Sequence, residues 1–239
     1  LQERDTAWAL NDLGRTPGLV NPKAVDLNGD GRDDIVFGDS EAIYLNSVRG
    51  GYIYYYENLG PNPVTGAIGY APGVKLKNSF GTDIHIGSCG APGRQYCQQI
   101  RVAFIDMPPN KNGLMDMLVS HHYYEEGMYR SEMTMYANTG SVTIPQWTHR
   151  PDWLLKDAFS GTKALYWIVT ADINGDGLVD IIARSYYNPT FVYLQTATTF
   201  ILGTSGLPVQ CTGYNGQPAF GDFDNDGDDD LICVSNTQQ

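Results

Sequence analysis

Apolar residues in this chain come in short runs. Ile35-Val36-Phe37, Met117-Leu118-Val119, Ile181-Ile182-Ala183 and Leu231-Ile232-Cys233 each directly follow an Asp that ends an Asp/Gly-containing stretch. Runs this short, rich in β-branched residues and set between turn formers, predict strands. Another apolar run precedes most of them, and an acidic turn lies between the two. The recurring unit is therefore strand, acidic turn, strand. A second pattern follows: Tyr54-Tyr-Tyr-Glu-Asn58-Leu-Gly60, then Met133-Thr-Met-Tyr-Ala-Asn138-Thr-Gly140, then Phe191-Val-Tyr-Leu-Gln195. These read as third strands ending in an Asn/Gly turn. Gly69-Tyr-Ala-Pro and Pro145-Gln-Trp147-Thr predict a fourth, outer strand. Helix signals are weak: Thr6–Leu13 and Asp152–Phe159 suit a turn or two of helix. Residues 77–99 and 121–132 read as long connections, rich in Gly, His and Tyr.

The acidic turns carry the clearest chemistry. Asp26-Leu-Asn28-Gly-Asp30-Gly-Arg32-Asp-Asp34, Asp172-Ile-Asn174-Gly-Asp176-Gly-Leu178-Val-Asp180 and Asp222-Phe-Asp224-Asn-Asp226-Gly-Asp228-Asp-Asp230 share one pattern. Oxygen-bearing side chains stand at positions 1, 3, 5 and 9, with Gly at position 6. A hard cation such as Ca²⁺ takes six to eight oxygens at ~2.3–2.6 Å, and a turn of this kind supplies them. Packing several carboxylates into one turn without a cation is strongly repulsive. An EF-hand is excluded, because it needs Glu at position 12 and flanking helices. Position 12 here is Phe37, Ala183 or Cys233. A degenerate fourth turn runs from Asp106 to Asp116 through Asn110, Asn112 and Gly113, with two extra residues and Lys111 among the oxygens. Its calcium is the doubtful one.

The first acids of the four turns are 80, 66 and 50 residues apart. Repeats fall at about 20–76, 100–155, 166–210 and 217–239, the last stopping after its second strand. Its missing strands have a match in residues 1–19, where Ala7-Trp-Ala-Leu-Asn11-Asp-Leu-Gly14 resembles the Tyr/Asn/Gly strand. Pairing those residues with the final half-repeat would close a ring and hide the sheet edges. The rival explanation is a segment of a longer ring, or one completed by another chain.

The D-x-[DN]-x-D-G-x-x-D turn followed by an aliphatic strand, with a Y-x-N-x-G strand later, resembles the FG-GAP/VCBS repeats. The resemblance covers most of the chain; residues 77–99 match nothing in it. It implies an all-β fold, a calcium-binding β-propeller of about four four-stranded blades, as in integrin α-chain heads and certain lectins. It also implies the calcium ligands. They are Asp26, Asn28, Asp30 and Asp34 with the carbonyl of Arg32; Asp172, Asn174, Asp176 and Asp180 with that of Leu178; and Asp222, Asp224, Asp226 and Asp230 with that of Asp228.

Charge and composition agree with this picture. Of 27 acids, 13 lie in the three close matches, and the net charge is −12. Three Ca²⁺ would cancel about half of it, so the acidity reads as cation sites, and it argues against nucleic acid as a partner. No apolar run approaches the ~20 residues of a membrane helix. The chain begins at Leu rather than Met, as a processed or excised segment would. The 4 cysteines lack CxxC spacing, which lowers the case for zinc. Three pairings are possible; Cys89–Cys97 with Cys211–Cys233 is the expected one, against four unlinked thiols, and it suits a secreted or cell-surface location.

Candidate ligand-binding groups are aromatics expected in connections: His121, Tyr123 and Tyr124 with Tyr129, and Tyr186, Tyr187 and Asn188. Asp39 or Glu41 would occupy the equivalent place in the first repeat. Such a rim suits carbohydrate; the same rings also suit packing between blades. Trp147, Trp153 and Trp167 read as core. No HExxH and no G-x-S-x-G is present, so an enzyme is not expected. The expected function is a calcium-stabilised binding module for glycans or a protein partner. The alternatives are a structural repeat unit that self-associates, or an accessory domain of a larger secreted enzyme.

Overall fold

The computed structural model describes residues 21–40, 51–87, 94–108, 111–153, 165–185, 190–203, 207, 218–221, 223–224 and 229–233. Among these, all regular structure is β.

The first sheet runs β1 (Lys23–Val25), β2 (Asp34–Ser40), β3 (Gly51–Tyr56). A small hairpin of β4 (Asn58–Pro61) and β5 (Ile68–Tyr70) follows, and then β6 (Val74–Lys75) and β7 (His85–Ile86) both pair with β3. The second sheet is β8 (Arg94–Ile105), β9 (Asp116–Glu125), β10 (Met128–Asn138) and β11 (Trp147–His149), in that order. The third is β12 (Leu165–Ala171), β13 (Asp180–Ser185), β14 (Thr190–Gln195) and β15 (Phe200–Gly203). The last described pair is β16 (Pro218–Gly221) and β17 (Asp230–Cys233). All pairings between these strands are antiparallel.

The sheets stack face to face in chain order. β8 packs against β2, β12 against β8 and β9, and β16 against β12. Period-two alternation then explains the unbroken apolar runs. Val102 and Phe104 of β8 join Val36 and Ile53 of the first sheet in one core cluster. Ala103 and Ile105, on the opposite face, join Ile168 and Ile181 of the third sheet in another. Met117 and Val119 divide from Leu118 in the same way. A strand buried on both faces needs an apolar residue at each position, and each fully buried Ile, Leu or Met contributes about 1.5–3 kcal/mol. Gly38 lets the first sheet lie directly against the second: a Cβ there would overlap Ile100 of β8. Trp147 and Trp167 are buried in this core, as expected.

Three expectations are corrected. Residues 121–132 are not a connection; they are the far half of the β9–β10 hairpin. Its two-residue turn is Glu126-Gly127, with φ of 51° and 81°. Positive φ at both positions matches the strands' right-handed twist, which outweighs the polar composition that reads as loop. The same extension starts β8 at Arg94, before the expected boundary at 100, because Arg94 and Gln95 pair with Glu125 and Tyr124. The segment around Gly69-Tyr70 pairs with β4 as β5 and does not become the outer strand, which β6 and β7 supply. Among the described strands no sheet closes on itself. The expected closure by residues 1–19 and the helical turn at 6–13 lie outside the described residues, as does most of the one at 152–159.

Candidate metal centre

Each acidic turn joins the first two strands of a sheet, and its carboxylates organise the backbone. In the turn from Asp172 to Asp180, Asp172 accepts hydrogen bonds from the N–H groups of Gly175 (2.8 Å), Asp176 (3.2 Å) and Gly177 (2.7 Å). Asn174 Oδ1 accepts from Asp176 N–H at 3.1 Å, and Asp176 Oδ1 from Leu178 N–H at 2.8 Å. The turn from Asp26 to Asp34 repeats this bond for bond. Asp26 takes Gly29, Asp30 and Gly31, Asn28 takes Asp30, and Asp30 takes Arg32. Such side-chain-to-backbone bonds are why Asp and Asn hold turns. Gly31 and Gly177, at position 6, have φ of 83° and 79°, a conformation that suits glycine.

The position-9 aspartate does something different. Asp180 accepts from Ile173 N–H (3.1 Å) at the start of the turn and from Gln195 N–H (2.7 Å) at the end of the third strand. Asp34 bridges Leu27 and Asn58 identically, and also accepts from the Tyr55 hydroxyl at 3.1 Å. Asp34 and Asp180 are buried. Burial is the main cause holding the Asp180 carboxyl above the ordinary carboxylate range, against the two N–H groups that lower it. This bridge explains the Asn/Gly echo. Asn58 offers its N–H to Asp34 and turns the chain by accepting from Gly60 N–H at 2.9 Å; Asn138 takes Gly140 N–H at 3.1 Å.

The degenerate turn has the same skeleton. Asp106 accepts from Asn112 (3.1 Å) and Gly113 (3.0 Å), and Asn112 Oδ1 from Leu114 N–H (2.9 Å). Asp116 bridges Met107 (2.9 Å) and Asn138 (2.7 Å). Burial, the largest effect, raises the Asp116 carboxyl to about 6. In the last turn the described bond is Phe223 N–H to Asp230, 3.1 Å. Asp222, Asp226 and Asp228 lie outside the described residues; Asp224 and Asp230 are exposed.

Side chains at positions 3 and 5 converge, Asn174 Nδ2 lying 3.0 Å and Asn28 Nδ2 3.3 Å from the following aspartate. Among the described residues no three His, Cys, Asp or Glu side chains are gathered as a metal group. The donors the two well-described turns offer, carboxylate, amide and carbonyl oxygen, fit a hard cation and not a soft one. The turns differ at position 7. Arg32 pairs its guanidinium with Asp30 and donates to the Asn58 carbonyl at 2.9 Å. Leu178 leaves Asp176 without that competitor.

Three of the ligand-binding candidates lie on β9. His121 and Tyr123 are buried on one face of β9, their rings 5.9 Å apart, with His121 Nε2 3.9 Å from Glu132 across the hairpin. Tyr124 is half-buried. Asp39 is buried in β2. Tyr186, Tyr187, Asn188 and Glu41 lie outside the described residues. Among the described residues no cysteine is free; of the expected pairs Cys97 lies in β8 and Cys233 in β17, and Cys89 and Cys211 lie outside the described residues.

Residues 172–233, which span the third and last acidic turns, match the family model of an FG-GAP-like repeat. No curated protein and no solved structure matches the chain.

Proposed function

We propose that this is a calcium-stabilised binding module built from FG-GAP-like repeats, exposed outside the cell and recognising glycans or a protein partner. The observation that supports it is the recurrence of one hydrogen-bonded acidic turn at the same place in successive sheets. Asp26, Asn28, Asp30 and Asp34, their counterparts from Asp172 to Asp180, and those from Asp222 to Asp230 would hold the ions, with the carbonyls of Arg32, Leu178 and Asp228. The cation supplies charge neutralisation and clamps a hairpin; ligand recognition falls to other surfaces. The sheets complete a propeller ring with residues 1–19, and Cys89–Cys97 and Cys211–Cys233 tie two loops. A calorimetric calcium titration tests the reading. About three ions should bind, and Asp176→Ala should remove one. A chain that binds no divalent ion refutes the calcium sites; a glycan array with no signal leaves the protein partner.

Self-association is the second reading. The last described sheet has two strands and leaves Phe223 (56%) and Ile232 (50%) exposed. A single 26 kDa species in native mass measurement argues against it.

A further inference from the structure

A groove of about 350 Å³ runs between the first acidic turn and the turn that precedes β11. One wall is Asn28, Tyr55 and Glu57; the other is Thr143, Ile144 and Pro145. Leu27, Leu76 and Trp147, all buried, form the floor. The volume falls at the small end of the ~300–1,000 Å³ of small-molecule sites.

Its chemistry is mixed and nearly neutral. Lys75 lines the groove, but its ammonium lies 3.4 Å from the Tyr52 ring centre and 3.8 Å from Asp83. That leaves Glu57 and Lys77 as opposite charges, with the Asn28 amide and the Thr143 hydroxyl beside them. Ile144 is 66% exposed and, with Pro145, gives the groove an apolar flank. Opposed charges that cancel, donors and acceptors in one place, and an apolar flank match a ring with hydroxyls on its edge and C–H groups on its face.

We propose that this groove binds a neutral sugar unit, and that calcium in the first turn tunes the binding. This rests on the glycan reading above and gives it a location away from His121 and Tyr123. The coupling is structural. Asn28 donates to both Asp30 (3.3 Å) and Glu57 (3.4 Å), and Tyr55 donates to Asp34 (3.1 Å). One wall is thus the back of the cation turn, so ordering the turn orders the wall.

Saturation-transfer NMR with methyl glycosides of galactose, mannose, fucose and N-acetylglucosamine tests this. With calcium, at least one should give a signal. Glu57→Ala and Thr143→Arg should each weaken it about tenfold or more, the loss of one buried polar contact or the filling of the mouth. Ile201→Ala, exposed on β15 and outside the groove, should leave it unchanged. EDTA should weaken binding about fivefold or more, the lower range of coupling between sites. Calcium-dependent melting of each variant confirms that it folds. Binding that survives both groove variants overturns the groove while the glycan reading stands. Binding indifferent to EDTA overturns the coupling. No signal from any glycoside, with a silent glycan array, overturns both readings.

Discussion

The turn from Asp172 to Asp180 and the turn from Asp106 to Asp116 differ in length and charge, yet their backbones are held alike. In both, the first aspartate collects N–H groups around a left-handed glycine, Gly177 or Gly113. In both, the last aspartate ties the start of the turn to the end of the third strand. The second turn has two more residues, and Asn112 where the first has Asp176. Position 5 bonds the backbone in both turns, Asp176 taking Leu178 N–H and Asn112 taking Leu114 N–H, so hydrogen bonding does not need its charge. What the exchange of Asp for Asn changes is how much negative charge a cation would neutralise.

The largest expected effect breaks the comparison with EDTA. Each site held at a hundred times its Kd adds about 2.7 kcal/mol, so removing three ions costs about 8 kcal/mol. Melting should drop steeply. Hydrogen exchange should quicken at Gly175 and Gly177 and stay unchanged at Asn112 and Gly113. Equal acceleration in both turns would mean that the cation acts on the whole fold.

Next come Asp180→Ala and Asp116→Ala. Each leaves two backbone N–H groups without their acceptor, at about 1–3 kcal/mol apiece. Urea denaturation in EDTA should show a loss of about 2–6 kcal/mol for both. A variant that loses stability only with calcium present would mark its aspartate as a ligand and not a bridge. Smaller again is Arg32→Leu, which copies Leu178 into the first turn. Freeing Asp30 from an exposed ion pair should tighten calcium there roughly two- to fivefold, read by titration of that site.

The smallest effect is with pH. Burial raises the folded pKa of Asp116 to about 6, from an ordinary carboxyl value of about 4. Between those values the folded state binds the extra proton, so this group's contribution to stability is fully present below pH ~4 and lost as pH rises through ~6. Asp180 is shifted in the same direction. In EDTA, melting should therefore rise by a few degrees from pH 7 to pH 5, and Asp116→Asn should flatten that slope. With calcium bound the trend should reverse at Asp180, because the cation favours the charged form.

Much of this was legible in the chain. The acidic turns, the strands on either side of them and the Asn58 and Asn138 turns all rest on neighbours in sequence. Asp172 reaches Gly175 and Gly177 within one turn, so the pattern predicts the contact. The His121–Glu132 segment misled because its composition is that of a loop. A two-residue turn with both φ positive converts it to hairpin, and Glu126-Gly127 is a weak signal for one. The role of position 9 was half legible: Asp34 and Asp180 read as ligand oxygens, whereas the backbone partners of Asp34, Asp116 and Asp180 at Asn58, Asn138 and Gln195 lie 15 to 24 residues away.

By itself the sequence determined where the acidic turns and the apolar runs beside them lie and where carboxylates gather, since turn geometry and hydrogen bonding to adjacent N–H groups are local properties. Only the tertiary structure decided which residues face which neighbour. Val102 meets the first sheet and Ala103 the third because sheets stack on both sides of β8. Tyr123 is buried and Ile144 exposed for the same kind of reason: burial depends on what packs against a strand or turn from elsewhere in the chain, and the pattern within that segment does not encode it.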